Sequence, residues 1–68
     1  MVGAASELTP REREVAELIA DGNSNKEAGR RLSISPRTVV LHRAHIMEKL
    51  GARNAADLVR IVLTGAPR

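Results

Sequence analysis

The chain has 68 residues, a formal net charge of +3 at pH 7, and neither a cysteine nor an aromatic residue. This length suits one small domain, and the missing cysteines exclude both a disulfide framework and a thiolate metal site. Without aromatic rings, a base-stacking surface for single-stranded nucleic acid is not expected. No apolar run approaches the roughly 18 residues of a membrane span, and no signal peptide is recognisable. We therefore expect a cytoplasmic protein.

Helix-start and helix-stop signals divide the chain into four helices, and no strand pattern is present. Thr9, Pro10 and Glu12 form a capping box with a proline at the first helical position. The core stripe predicted for this first helix consists of Val15, Leu18 and Ile19. The sequence predicts an all-α, four-helix domain at 7–64, between a flexible lead-in at 1–6 and a frayed end at 65–68. The predicted helices span about 9–20, 25–32, 36–50 and 54–64.

The second and third helices are predicted to form a helix-turn-helix at about residues 25–44. Ser24 and Glu27 repeat the capping-box pattern. The turn that follows is only three residues long, and its last residue, Ser35, caps the third helix. Gly29 is the small residue that allows the two helices to approach closely.

Charge is distributed unevenly along the chain. Residues 24–53 contain seven basic and two acidic residues, whereas residues 1–23 contain two basic and five acidic ones. A block of net charge +5 beside a block of net charge −3 indicates one positive face. The partner that fits such a face most simply is a polyanion, nucleic acid above all.

The third helix has two distinct faces at 100° per residue. The residues predicted to be in the core are Val39, Ile46 and Leu50. The residues predicted on the outward side are Arg37, Val40, Leu41, Ala44, His45 and Glu48. If this helix enters a major groove, the outward residues reach base edges, while Ser35, Arg37 and Thr38 at its N-terminus and Lys26 of the second helix meet phosphates.

The motifs LTPRE, NKE, SPRTV, HR and EKLGARN occur here in a specific order and spacing. With them, Glu7 to about Leu63 resembles the LuxR/GerE-type helix-turn-helix family, and most of all the FixJ-type effector domains of response regulators. The resemblance implies a bacterial transcription regulator that binds double-stranded DNA, with its third helix in the major groove. It also implies a homodimer through the last helix, and control by an N-terminal receiver or sensor domain that is absent here.

The resemblance also assigns roles to individual residues. Its backbone-contacting positions correspond to Lys26, Ser35, Arg37, Thr38, His42 and Arg43. Its base-reading positions correspond to Val40, Leu41 and Ala44, flanked by His45. Relatives often carry a charged residue in place of Val40. Apolar side chains can touch thymine methyl groups but cannot form bidentate hydrogen bonds, so specificity would lean on Arg37, Arg43, His45 and DNA shape.

Three further departures from the family pattern concern stability. Ala28 stands where relatives usually have Ile, Gly29 where they usually have Ala, and Ser33 where a turn Gly is common. Lost core volume, a glycine inside a helix and a serine forced to positive φ all lower stability. We therefore expect an isolated domain that is only marginally stable.

Several residues have a second interpretation. Arg43 could pair with an acidic residue of the first helix instead of DNA, and His42 could be a packed, partly buried imidazole. His42, His45 and Glu48 recur every third residue, but no further ligand is nearby, so no metal site is expected. No nucleophile–base pair or phosphate-binding glycine loop is present, so neither catalysis nor a cofactor is expected.

The last helix is apolar nearly all round, so one face closes the core and the other is predicted to pair with a second copy. The residues predicted in that dimer interface are Leu58, Ile61 and Val62. A rival hypothesis remains for the whole domain: a protein-interaction module that has lost base reading and docks through Val40, Leu41 and the last helix.

Overall fold

The computed structural model describes residues 8–65, which form four helices. The helices are α1 (Pro10–Ala20), α2 (Asn25–Leu32), α3 (Pro36–Leu50) and α4 (Ala55–Thr64). No strand occurs among the described residues, and the all-α prediction is confirmed. Each boundary lies within one residue of its predicted place. The predicted lead-in at 1–6 and the last three residues of the predicted frayed end lie outside the described residues.

The first two helices begin at capping boxes, as predicted. The Oγ1 of Thr9 accepts a hydrogen bond from the Glu12 N–H at 3.1 Å, and Oε1 of Glu12 accepts one from the Thr9 N–H at 3.0 Å. Ser24 and Glu27 repeat this exchange at 3.1 and 2.8 Å. Each cap satisfies amide donors that the helix itself leaves unpaired, and such a cap contributes about 1 kcal/mol.

The last two helices are also capped, and left-handed glycines end them. Ser35 caps α3, and Asn54 caps α4 by accepting a hydrogen bond from the Asp57 N–H at 2.8 Å. Gly51 follows α3 with φ +69°, and Gly65 follows α4 with φ +72°. Local sequence signals therefore determine where the helices start and stop.

The core is made entirely of aliphatic side chains. α3 packs mainly against α2, and α1 packs mainly against α4 and α3. The buried apolar residues are Leu8, Val15, Ala16, Ile19, Ala28, Val39, Ile46, Leu50, Leu58 and Ile61. The prediction for α3 is confirmed in full. In α1, Val15 and Ile19 are buried as predicted, but Leu18 is only half-buried at the edge of the core.

The turn between α2 and α3 has the two backbone features that the sequence predicted. Ser33 adopts the left-handed conformation, with φ 60° and ψ 39°. Gly29 lies against the turn: its carbonyl accepts a hydrogen bond from the Ile34 N–H at 2.8 Å. A Cβ on Gly29 would lie 2.6 Å from the Ile34 carbonyl oxygen. Only glycine fits this position without a shift of the turn.

The burial of α4 corrects part of the dimer prediction. Leu58 and Ile61 have no exposed surface, because they close the core over α1. These two side chains cannot contact a second copy while the domain stays folded. Val62 is half-buried, and Leu63 is 71% exposed. No helix within residues 8–65 is long and apolar enough to cross a membrane.

Candidate nucleic-acid interface

The N-terminus of α3 carries a pair of hydroxyl groups. Oγ of Ser35 accepts a hydrogen bond from the Thr38 N–H at 3.1 Å and lies 2.9 Å from Oγ1 of Thr38. Whichever hydroxyl donates within this pair, the other keeps its proton for an outside acceptor. Pro36 has no N–H, and the N–H of Thr38 already donates to Oγ of Ser35. Within residues 8–65, the Arg37 N–H is therefore the one first-turn amide of α3 without an acceptor.

The outward face of α3 is apolar over its middle turns. Val40 is 49% exposed and Leu41 is 57% exposed, and Ala44 is exposed beside them. Val39, the immediate neighbour of Val40, is completely buried. Arg37 and His45 are exposed at the two ends of this patch, as predicted. The helix thus presents large apolar side chains to solvent on the side opposite its core residues.

Arg43 has a partner that the sequence did not suggest. Its Nη1 donates to Oδ1 of Asn25, at the start of α2, over 2.8 Å. This contact corrects the alternative prediction that Arg43 pairs with an acidic residue of α1. Arg43 is half-buried, and so is His42 as expected. Arg43 therefore ties α3 to α2, with its remaining guanidinium donors still available.

Basic side chains surround α2. Lys26 and Arg30 are exposed, and within the described residues neither has an ion-pair partner. The Nε of Arg31 donates to Oδ1 of Asn23 at 3.1 Å, which fixes it beside the α1–α2 loop. Arg31 also borders a shallow depression of about 320 Å³ between α1 and α2. It is lined by Glu14, Glu17, Leu18, Asp21, Arg31 and Leu32. The predicted charge separation thus corresponds to an acidic flank on α1 and a basic one on α2 and α3.

An ion pair between a buried carboxylate and a partly exposed lysine holds the far end of α3, and it was not predicted from the sequence. Nζ of Lys49 lies 2.7 Å from Oε1 of Glu12, whose side chain is only 7% exposed. This hydrogen bond from Lys49, followed by that from the Thr9 backbone, lowers the pKa of Glu12. The capping role predicted for Glu12 is confirmed, but the same carboxylate also joins α1 to α3. The only feature of the sequence that could have indicated this contact is the position of Glu12 on the core-facing side of α1.

Potential metal ligands do not cluster in the described part of the chain. No group of three or more His, Asp or Glu side chains there could hold a metal ion. His42 is half-buried and His45 is exposed.

These features define a class of protein. Two capped helices, a tight left-handed turn and an outward-facing second helix with basic flanks make this chain a helix-turn-helix domain. The chain belongs to the luxR family of bacterial regulatory proteins, whose family model matches residues 6–62. The resemblance inferred from the sequence is thereby confirmed.

Individual relatives agree with this assignment. The chain is 48% identical over 63 residues to the transcriptional regulatory protein UhpA of Escherichia coli, covering 93% of this chain and 32% of UhpA. It is 48% identical over 54 residues to the tetrathionate response regulatory protein TtrR of Salmonella typhimurium, covering 79% and 26%. It is 45% identical over 56 residues to the transcriptional regulatory protein FixJ of Bradyrhizobium diazoefficiens, covering 82% and 27%. The chain therefore spans about a third or less of each of these relatives. No solved structure matches the chain.

Proposed function

We propose that this domain binds double-stranded DNA with sequence preference, as the effector part of a bacterial transcription regulator. The observation that carries the proposal is the exposure of Val40 and Leu41 on a helix whose opposite face is fully buried. Large apolar side chains held in solvent beside cationic ones are typical of a binding surface. A helix of this width fits the major groove of B-DNA.

Phosphate contacts would fix this helix in the groove. Lys26 and Arg37 are exposed cations near the turn, and Ser35 and Thr38 together keep one hydroxyl proton free. The Arg37 N–H adds a backbone donor at the positive end of the helix dipole. His42 and Arg43 are proposed as further backbone contacts, Arg43 with the donors that Asn25 leaves unused. These contacts set position and affinity, whereas the side chains of α3 select the sequence.

The domain is proposed to act as a homodimer on paired half-sites. With Leu58 and Ile61 in the core, the large apolar side chains of α4 left for such a contact are the exposed Leu63 and the half-buried Val59 and Val62. A symmetric contact through this surface would place two copies of α3 on one side of the duplex. In the longer regulator, a receiver domain is the proposed source of control. The proposed function also requires the protein to reach the bacterial chromosome, and so to be cytoplasmic.

Selection from random duplexes tests this function. The domain is titrated against a random duplex pool at low and at moderate salt, and the bound fraction is sequenced. We expect enrichment of a paired half-site, and an affinity that falls as salt rises. Lys26→Ala should weaken binding to all duplexes and lower the salt slope by about 0.9 for one lost phosphate contact. Arg11→Ala, which removes an exposed charge from α1, is the matched control and should leave the slope unchanged.

The rival hypothesis, a protein-docking module, rests on the same exposed Val40 and Leu41. Apolar docking changes little with salt, whereas DNA binding through several cations weakens steeply. A folded domain that binds no duplex at either salt would refute the DNA-binding proposal and favour docking.

A further inference from the structure

We propose that α3 recognises its half-site chiefly through the 5-methyl groups of thymine, and not through hydrogen bonds to guanine or adenine. This inference rests on the proposed DNA-binding function and specifies what the domain reads. It also differs from the expectation that Arg43 would carry specificity.

Three hydrogen-bonding side chains of α3, those of Thr38, His42 and Arg43, are engaged or half-buried, and the exposed ones, Arg37, His45 and Glu48, flank the apolar surface. Arg43 donates to Asn25 over 2.8 Å and is half-buried. The Thr38 hydroxyl belongs to the cap with Ser35. His42 is half-buried on the side of the helix next to the core. None of these groups is aimed at a base edge in the way that a bidentate contact requires.

What the outward face offers instead is a continuous apolar surface. Val40 is 49% exposed, Leu41 is 57% exposed, and Ala44 lies one turn after Val40. Ala44 lies four residues after Val40 and three after Leu41, and side chains at these spacings are neighbours on a helix, so Ala44 joins the other two into one surface. Arg37 precedes this surface, at the end of α3 where phosphate contacts are proposed. The apolar surface is therefore the part of α3 placed to meet base edges.

Only one base of unmodified DNA presents an apolar group in the major groove, and that group is the thymine methyl. Leu41 or Val40 packed against this methyl buries apolar surface, whereas the same side chain at a cytosine or guanine finds no methyl to bury. T·A and C·G pairs present the same number of hydrogen-bonding groups in the major groove, so burial of the methyl is what favours T·A pairs. Burial of one methyl group changes affinity by about fourfold.

The test replaces thymine by uracil, which removes the methyl and leaves every hydrogen-bonding group in place. The duplex recovered from the selection is made with single uracil substitutions inside the half-site and, as controls, outside it. We expect about a fourfold loss of affinity at one to three positions within each half-site and none outside. At those positions, T·A to C·G should also weaken binding, because the methyl is lost, and 5-methylcytosine should restore part of that loss by returning the methyl.

Protein variants identify the side chains that read the methyl groups. Leu41→Ala should bring the thymine-to-uracil affinity ratio near one at its position, and Val40→Ala should do so at a neighbouring position. Lys26→Ala should weaken both duplexes equally and leave the ratio unchanged. Since Leu41 and Val40 lie outside the core, circular dichroism should show unchanged helix content for both variants.

The outcomes separate this inference from the function on which it rests. Binding with an enriched half-site but a thymine-to-uracil ratio of one at every position would overturn methyl reading and leave DNA binding intact. Binding without any enrichment, or no binding to any duplex, would overturn sequence reading and methyl reading together. A ratio that depends on Leu41 or Val40 would support both.

Discussion

Replacing Glu12 by Gln tests how much the ion pair between Glu12 and Lys49 contributes to the stability of this domain. Oε1 of Glu12 accepts hydrogen bonds from Nζ of Lys49 at 2.7 Å and from the Thr9 N–H at 3.0 Å. Glutamine keeps the size and one carbonyl acceptor but loses the charge. Hydrogen bonds to charged groups contribute about 1.5–3 kcal/mol and neutral ones about 0.5–1.5 kcal/mol. Because the Lys49 side chain is 37% exposed, water compensates part of the difference.

We therefore expect Glu12→Gln to lower the free energy of unfolding by about 1–2 kcal/mol, from the roughly 3–5 kcal/mol that a core of this size supplies. The melting temperature should fall by about 4–8 °C for each kcal/mol. Since the chain has no aromatic residue, unfolding in urea should be followed by far-ultraviolet circular dichroism. A double-mutant cycle with Lys49→Met isolates the pair energy from the lost cap.

Glu27→Gln provides a matched control. Glu27 forms the same capping box with Ser24, over 2.8 Å, but it is exposed and has no ion-pair partner among the described residues. It should cost clearly less than Glu12→Gln. Equal losses at the two sites, or a coupling energy near zero in the cycle, would refute the argument that the contact with Lys49 adds stability.

The same pair makes stability depend on acid pH. The hydrogen bond from Lys49, and next that from the Thr9 backbone, holds the pKa of Glu12 below its ordinary value of 4.5. The unfolded chain therefore binds this proton more readily than the folded one. The contribution of Glu12 is complete above pH 4.5 and is lost as the pH falls through the lowered pKa. Glu12→Gln should therefore reduce the fall in the free energy of unfolding as the pH is lowered. A smaller acid dependence should remain, because the pKa of Glu27 is also lowered, chiefly by the hydrogen bond from the Ser24 backbone.

Three further substitutions probe the helix-turn-helix itself, each measured by urea unfolding. Ser33→Gly should raise stability by about 0.5–1 kcal/mol, because relief of the left-handed strain exceeds the added chain entropy. Gly29→Ala should lower it by up to about 2 kcal/mol, because the clash with the Ile34 carbonyl outweighs a helix-propensity gain of about 1 kcal/mol. Asn25→Ala should cost about 1 kcal/mol by removing the acceptor of Arg43.

A control variant and the contrary outcomes show whether each change in stability has the stated cause. Arg30→Gly, at an exposed position inside α2, should destabilise by about 1 kcal/mol, since no left-handed strain exists there to relieve. A loss of stability in Ser33→Gly would mean that φ 60° costs this serine little. A gain in Gly29→Ala would mean that the turn moves away easily. No change in Asn25→Ala would mean that water replaces Oδ1 at no cost.

The helices could be predicted because their signals are local. Each helix begins at a residue whose side chain accepts a hydrogen bond from the amide three residues ahead: Thr9, Ser24, Ser35 and Asn54. The spacing of apolar residues along α3 alone separates its buried face from its exposed one. Positive φ at Ser33 was expected from the resemblance, because relatives commonly have a turn Gly at this position. Helix caps and the spacing of buried residues depend on residues a few positions apart, and these can be read directly from the sequence.

The ties between helices could not be predicted in the same way. Lys49 and Glu12 are 37 residues apart, and Arg43 and Asn25 are 18 apart. Whether two such side chains meet depends on where the helices cross, and several acidic residues of α1 were equally plausible partners for a basic one. Arg43 was expected to meet a carboxylate, but it meets an amide on α2.

The orientation of α4 was undetermined for a different reason. A helix that is apolar nearly all round has no polar stripe to mark its outer side. Leu58 and Ile61 face inward and Leu63 faces outward because α1 contacts the side of α4 that carries the first two. The dimer prediction assigned Leu58 and Ile61 to the wrong side. The predicted outward placement of Val40, Leu41 and Ala44 is confirmed, because the polar residues Arg37, His45 and Glu48 mark that side of α3 in the sequence.

The position of α3 is fixed by residues that do not belong to its outward face. Ser35 caps its start, Arg43 joins its middle to α2, and Lys49 joins its end to α1. Besides these two ties between helices, the buried apolar residues of α3 attach it to the core. Val40 and Leu41 contribute to none of these contacts. A change at Val40 or Leu41 is therefore expected to cost almost nothing in folding free energy, so under the proposed function sequence preference can diverge while the scaffold that positions α3 stays the same.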